Sequence, residues 1–122
     1  MPLRVGLTYN LRKSAIPSGL PEDYYAEFDE ESTVNAIAEA LKRVGCSVQL
    51  IEADENAYTT LQNTRLDIVF NIAEGLRGES RESHIPVILE MLGIPYTGSG
   101  PLTLAIALDK MLTQEILHYK GV

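Results

Sequence analysis

The sequence predicts an α/β domain in which a four-stranded parallel sheet, in the order 2-1-3-4, carries helices on both faces. Two observations lead there. Short apolar segments alternate with amphipathic ones in the order β-α-β-α-β-α-β-α, and right-handed crossovers between successive parallel strands lay helices over both sides of a sheet. The third apolar segment, LDIVFNIA, is almost continuously apolar, as expected of a strand covered on both faces. With 122 residues, 45% of them apolar, the chain matches one ordinary domain and can bury a core without metal or disulfide staples.

The elements follow in order. Leu3, Val5 and Leu7 alternate in LRVGLT, the first strand. A loop from about Asn10 to Glu31, rich in Pro, Ser, Gly and acid, comes next; with little to bury, it is expected to be mobile. Ser32 or Thr33 suits the cap of a helix with Val34, Ile37, Ala38, Leu41 and Val44 on one face, ended by Gly45. SVQLIE is the second strand. Between Glu55 and Arg65 only Tyr58 and Leu61 offer anchors, which predicts a short helix. After LDIVFNIA, the residues Ile85, Ile88, Leu89 and Leu92 recur at helical spacing, with Ser83 as cap, Pro86 in the first turn and Gly93 as stop. IPYT is read as a short fourth strand. Gly100 and Pro101 then open a helix through Leu104, Ile106 and Leu108, with a break near Asp109, and a last helix carries Met111, Leu112, Ile116 and Leu117 to Gly121.

Composition removes several function classes. The formal net charge is −7, and six of the seventeen acidic residues fall in PEDYYAEFDEE, between Glu22 and Glu31. Phosphate backbones repel such a chain, so neither nucleic acid nor an anionic membrane is an expected partner. Cys46 is the sole cysteine and reads as a small buried hydrophobe, which rules out an internal disulfide or a cysteine metal cluster. MPLRVGLTYN lacks the apolar run of a signal peptide, and no segment reaches the roughly 20 apolar residues of a membrane span, so a cytoplasmic location is expected. His84 and His118 have no partners at metal-ligand spacing, and no metal site is predicted.

In parallel sheets ligands bind beyond the carboxyl ends of the strands, near the point where strand order reverses. Three loops therefore carry the functional candidates: 10–31, 74–82 and 98–101. In VFNIAEGLRGESRE, Gly75 and Gly78 allow a sharp turn and close ligand approach, and Glu74, just past the strand, can hold a ligand ammonium. The competing reading is a tight turn whose Glu79, Arg81 and Glu82 only pair and cap the next helix. No P-loop and no G-x-G-x-x-G opening the first helix is present.

From about Asp67 onward, VFNIAEGLRGE, LEMLGIPYTGSGPLTLAIALDK and a helix ending in KGV resemble the N-terminal domain of the D-alanine–D-alanine ligase family of ATP-grasp enzymes. The resemblance implies a three-layer, Rossmann-like pre-ATP-grasp domain, residues 1–122, on the substrate side of an enzyme that uses ATP and Mg²⁺ to make an acyl phosphate for attack by an amine, as in peptidoglycan synthesis. The family pattern like ALHG has Glu74 in place of its histidine here, which puts D-alanine as substrate in doubt. Glu79 matches the glutamate of the family's GED segment, although ESRES carries two extra residues. The family's G-G-x-S-x-E-like loop, whose glutamate holds a substrate ammonium, is replaced by NLRKSAIPSGLPEDYYAEFDEES, where Glu27, Asp29 and Glu30 are candidates for that role. Lys110 matches the lysine of the family's DK, toward the nucleotide phosphates. Similar enzymes continue past this last helix into the ATP-grasp domain, so the chain reads as a truncated piece, inactive in ligation and binding no cofactor by itself. Its expected partners are a small amino-acid-like substrate and the missing ATP-grasp domain, with a homodimer left open.

Two other classes stay open at this point. A stand-alone binding module would use the same three loops without chemistry. A receiver-like signalling domain would need an acidic pair after the first strand and an Asp ending the third, where this chain has Thr8-Tyr9-Asn10 and Asn71-Ile72-Ala73-Glu74.

Overall fold

β1 (Arg4–Tyr9) is the middle strand, with β2 (Ser47–Glu52) and β3 (Ile68–Asn71) parallel on either side. The computed structural model describes residues 1–13, 16 and 18–122; positions 14, 15 and 17 of the first loop lie outside the described residues. Registers run from Arg4 opposite Ser47 to Tyr9 opposite Glu52, and from Val5 opposite Ile68 to Thr8 opposite Asn71. Both pairings are parallel, so each strand must be reached by a crossover, and helices line the two faces.

One face packs under α1 (Glu31–Arg43), where Leu7, Val34 and Ala38 are buried with Tyr9, Ile37 and Phe70 against them. The other packs under α2 (Ala57–Asn63) and α3 (His84–Leu92), around Ile51, Leu61, Val69, Ile85 and Leu89. Leu7, Val69 and Leu89 are fully inaccessible. β1 and β3 thus bury residues toward both layers, which explains their apolar runs.

The sheet has three strands, not the four predicted. IPYT lies beside β3, where the fourth strand was expected, but contributes only a bridge: the Val69 N–H donates to Pro95 O at 2.8 Å and the Thr97 N–H to Val69 O at 2.9 Å, with Tyr96 opposite Val69. The ladder cannot lengthen. Pro95 has no N–H to offer, and Gly98, at φ +92°, turns the chain away.

Other departures are local. α1 begins one residue before Ser32, with Glu30 at the cap position and no side-chain cap bond, so neither Ser32 nor Thr33 caps it. α2 is anchored by Ala57 and Leu61, while Tyr58 is exposed. Ser83 precedes α3 as expected, but its hydroxyl donates to Pro101 O at 2.7 Å instead of capping the helix. α4 (Pro101–Leu108) starts on Pro101, and at the break Asp109 accepts the Leu112 N–H, capping α5 (Lys110–Tyr119). Among the described residues no helix is long and apolar enough to cross a membrane.

The long loop after β1 has more to bury than its acidity suggests. Tyr24, Tyr25 and Phe28 pack ring on ring, with centroids 4.8 to 6.1 Å apart, and Tyr25 and Phe28 are buried. Its end is stitched back to β1: the Asp29 N–H donates to Asn10 O at 2.9 Å, and the Arg12 N–H to Asp29 O at 2.8 Å.

Candidate functional site

The carboxyl ends of β1 and β3, the loop after β1 and the turn after β3 meet at Glu74. Asn10, the first residue beyond β1, is 1% exposed. Its Oδ1 accepts the N–H groups of Glu74 and Gly75, both at 2.9 Å, and its Nδ2 donates to Ala53 O, just beyond β2, at 3.1 Å. A second amide works beside it. Asn71 Oδ1 accepts from Thr8 Oγ1 at 2.8 Å and from the Ala73 N–H at 3.1 Å, while the Asn71 N–H donates to Thr97 Oγ1 at 3.3 Å.

These bonds present the half-buried Glu74 to a cavity of about 320 Å³, lined by Asp29, Asn71, Ala73, Glu82, Ser99 and Leu104 among others. Carboxylate oxygens of Glu74, Glu82 and Glu27 lie within 4.8 Å of one another. Loss of water around Glu74, then repulsion and a hydrogen bond from Glu82, then the charges of Glu27 and Asp29, push the Glu74 carboxyl up to about 7. Burial also raises Asp29. Arg81 Nη2 reaches Glu27 Oε2 at 2.9 Å. Coulomb's law makes such a cluster a receptor for a compact cation, because any positive group entering it relieves several repulsions together.

The candidates read from the sequence divide. The fold brings Glu74, Glu27 and Asp29 together. Glu30 sits at the start of α1, exposed and 3.9 Å from Arg12; Gly78 and Glu79 lie exposed on the outer side of the turn; Lys110 is exposed at the start of α5. None of these four lines the cavity. Packing alone requires a glycine at position 75: at φ +80°, a Cβ there would stand 2.1 Å from Arg81 O. Arg81 reaches across to Glu27, and Arg77 approaches Glu55 at 3.8 Å, so the arginines of the turn do not neutralise Glu74. Sequence reasoning did not assign Glu82 or Asn10 to the site. Asn10 carried one usable sign, a polar amide directly after the central strand; Glu82 carried none, because only the turn at Arg81–Ser83 aims it back at Glu74.

Fold and site together define an α/β domain with a carboxylate-lined cavity at the carboxyl end of a parallel sheet. No family model matches the chain. Its relatives include the D-alanine–D-alanine ligase of Pseudomonas entomophila, 39% identical over 87 residues (71% of this chain, 27% of the relative), and an uncharacterized protein, y4sG, of Sinorhizobium fredii, 36% identical over 96 residues (72% and 29%). Among solved structures, D-alanine–D-alanine ligase from Bacillus anthracis complexed with ATP superposes with a TM-score of 0.69 at 24% identity, covering all of this chain and 36% of that one, a likeness of fold. Apart from y4sG, these relatives and solved neighbours are D-alanine–D-alanine ligases, and the chain is similar to their N-terminal domain. It spans a little over a quarter of the length of the curated relatives it matches.

Proposed function

We propose that this chain is the substrate-side domain of an ATP-dependent carboxylate–amine ligase, and that Glu74 receives the ammonium group of an amino-acid-like substrate. The class rests on one observation, the 39% identity to a D-alanine–D-alanine ligase. The role of Glu74 rests on its placement: a half-buried carboxyl at the strand end, crowded by Glu82 and Glu27, without an arginine of its own. An ammonium entering there gains a charge-assisted hydrogen bond, about 1.5 to 3 kcal/mol where the pocket is partly dry.

ATP and Mg²⁺ would supply carboxylate activation as an acyl phosphate in such an enzyme, but the residues described here do not fit a nucleotide. Lys110 stands exposed on α5 outside the cavity, and the close approach at Gly75 is filled by Arg81 O. The work of this chain is to bind and orient the amine end of the substrate.

Calorimetry on the 122-residue chain tests the reading. The expected result is measurable D-alaninamide binding that Glu74→Gln weakens by roughly 10 to 100-fold, at about 1.4 kcal/mol per decade, with no heat from MgATP. Micromolar MgATP affinity would overturn the substrate-side assignment. A second reading, a small-molecule binding module without catalysis, draws on the fact that this chain supplies residues from both sides of the cavity, Asp29 from one loop and Glu74 and Glu82 from another. It predicts full affinity with no further domain present.

A further inference from the structure

We propose that Asn10 is the positioning residue of the Glu74 site, fixing Glu74 relative to the acidic loop through four hydrogen bonds that join all the segments meeting there. This rests on the reading of Glu74 given above and adds to it the group that sets its place.

The geometry leaves one residue type for the position. Two N–H groups, of Glu74 and Gly75, converge at 2.9 Å on one side-chain atom, which must be an acceptor. At the other end of the same side chain, Ala53 O lies at 3.1 Å and requires a donor. The asparagine amide carries an acceptor and a donor at the spacing required, and its orientation is fixed by its partners. Aspartate keeps the acceptor and loses the donor; serine is too short to span from one to the other. The backbone carbonyl of Asn10 takes the fourth bond, from the Asp29 N–H at 2.9 Å. One buried residue thus ties the turn bearing Glu74, the end of β2, and the loop bearing Glu27 and Asp29.

The consequence is chemical as well as structural. Glu74 follows β3 by three residues, and its backbone N–H is held by Asn10 alone. Without that acceptor, the 74–75 peptide is free to rotate and the carboxyl can swing from the cavity into water, away from Glu82 and Glu27. With it, the carboxyl stays among its like-charged neighbours. Asn71 holds Ala73 but makes no bond to Glu74, so it cannot substitute.

The test reads the ionisation of Glu74 by ¹³C NMR of glutamate-labelled full chain, assigned by the signal missing in Glu74→Gln, together with the melting temperature. Asn10→Ala is expected to lower the melting temperature and also to drop the Glu74 midpoint by about 1 to 2 pH units, toward an ordinary glutamate. Asn10→Asp, which keeps the acceptor, is expected to lower the melting temperature while holding the midpoint at or above its original place. A purely structural Asn10 would give lower melting temperatures with an unmoved midpoint in Asn10→Ala, and that result overturns the proposal. If Asn10→Ala does not fold, Asn10→Ser decides, because serine is too short to hold the 74–75 peptide: a midpoint lower by about a unit or more supports the proposal, and an unmoved midpoint overturns it. Adding D-alaninamide separates this from the ammonium reading. A moved midpoint in Asn10→Ala, with amide binding indifferent to Glu74→Gln, would leave Asn10 as the positioning residue and remove the ammonium role.

Discussion

Glu74→Gln should stabilise the domain at alkaline pH and leave it unchanged in acid. The Glu74 carboxyl ionises at about 7 in the fold against an ordinary value of 4.5. Between these values the folded chain holds a proton that the unfolded chain has released, so stability falls as pH rises; below 4.5 there is no penalty, and above 7 it is complete. The difference, 7 − 4.5, is 2.5 pH units, which at about 1.36 kcal/mol per unit would be roughly 3.4 kcal/mol. Glu74 is only half buried, and water and salt screen it, so about 1 to 2 kcal/mol is the expected cost. Glutamine keeps the shape and carries no charge. At about 2.1 cal/mol/K of unfolding entropy per residue, its gain at pH 8 corresponds to a melting temperature higher by about 4 to 8 °C, shrinking to nothing by about pH 4. Thermal unfolding of both proteins from pH 4 to pH 9 measures this. Equal differences at pH 4 and pH 8, or a less stable variant at pH 8, would show that Glu74 is not held among its neighbours as described.

Three further outcomes follow from the same structure. Asp67 accepts from the Arg4 backbone N–H at 2.8 Å and from its Nε at 3.0 Å, which holds the carboxyl far below its ordinary range; Asp67→Asn should therefore lose stability at neutral pH, the two unfolding curves converging as acid protonates the wild-type carboxylate. Gly75→Ala places a Cβ against Arg81 O at a φ that disfavours side chains, and should cost about 2 to 4 kcal/mol by urea titration while shifting the Glu74 midpoint as the Arg81–Ser83 turn moves. Leu89→Ala, which empties a fully buried place between α3 and the sheet, should cost about 2 to 5 kcal/mol without moving that midpoint.

Sequence periodicity located β1, β2, β3 and the helices because their apolar residues recur at the spacing of the element itself. What it overstated was IPYT, where a strand-like composition meets a proline without an N–H and a glycine that turns the chain. The loop after β1 buries more than its composition suggests for a different reason: acid content hides three aromatic rings whose packing depends on one another and not on any period. At the site, Glu74 was legible because it stands next to a recognisable strand. Glu27 and Asp29 were legible only as members of an acidic run, and nothing local separates them from Glu30, which faces Arg12. The bonds that define the site, Asn10 to Glu74 and Glu27 to Arg81, join residues 64 and 54 positions apart, a separation that only the folded sheet closes.

The helices that follow Gly100 differ from the rest of the domain in one respect: α4 and α5 contain no buried residue, whereas β1, β3 and α3 are anchored by side chains with no accessible surface. Cooperative unfolding therefore need not begin with the whole molecule. Backbone amides in this carboxyl-terminal pair should exchange with deuterium through local opening, at free energies well below those of β1 and β3, which open only with the global transition. The expected pattern is a slow-exchanging sheet with its two facing layers and a fast-exchanging helical pair, the fastening between them including the bond from Ser83 Oγ to Pro101 O.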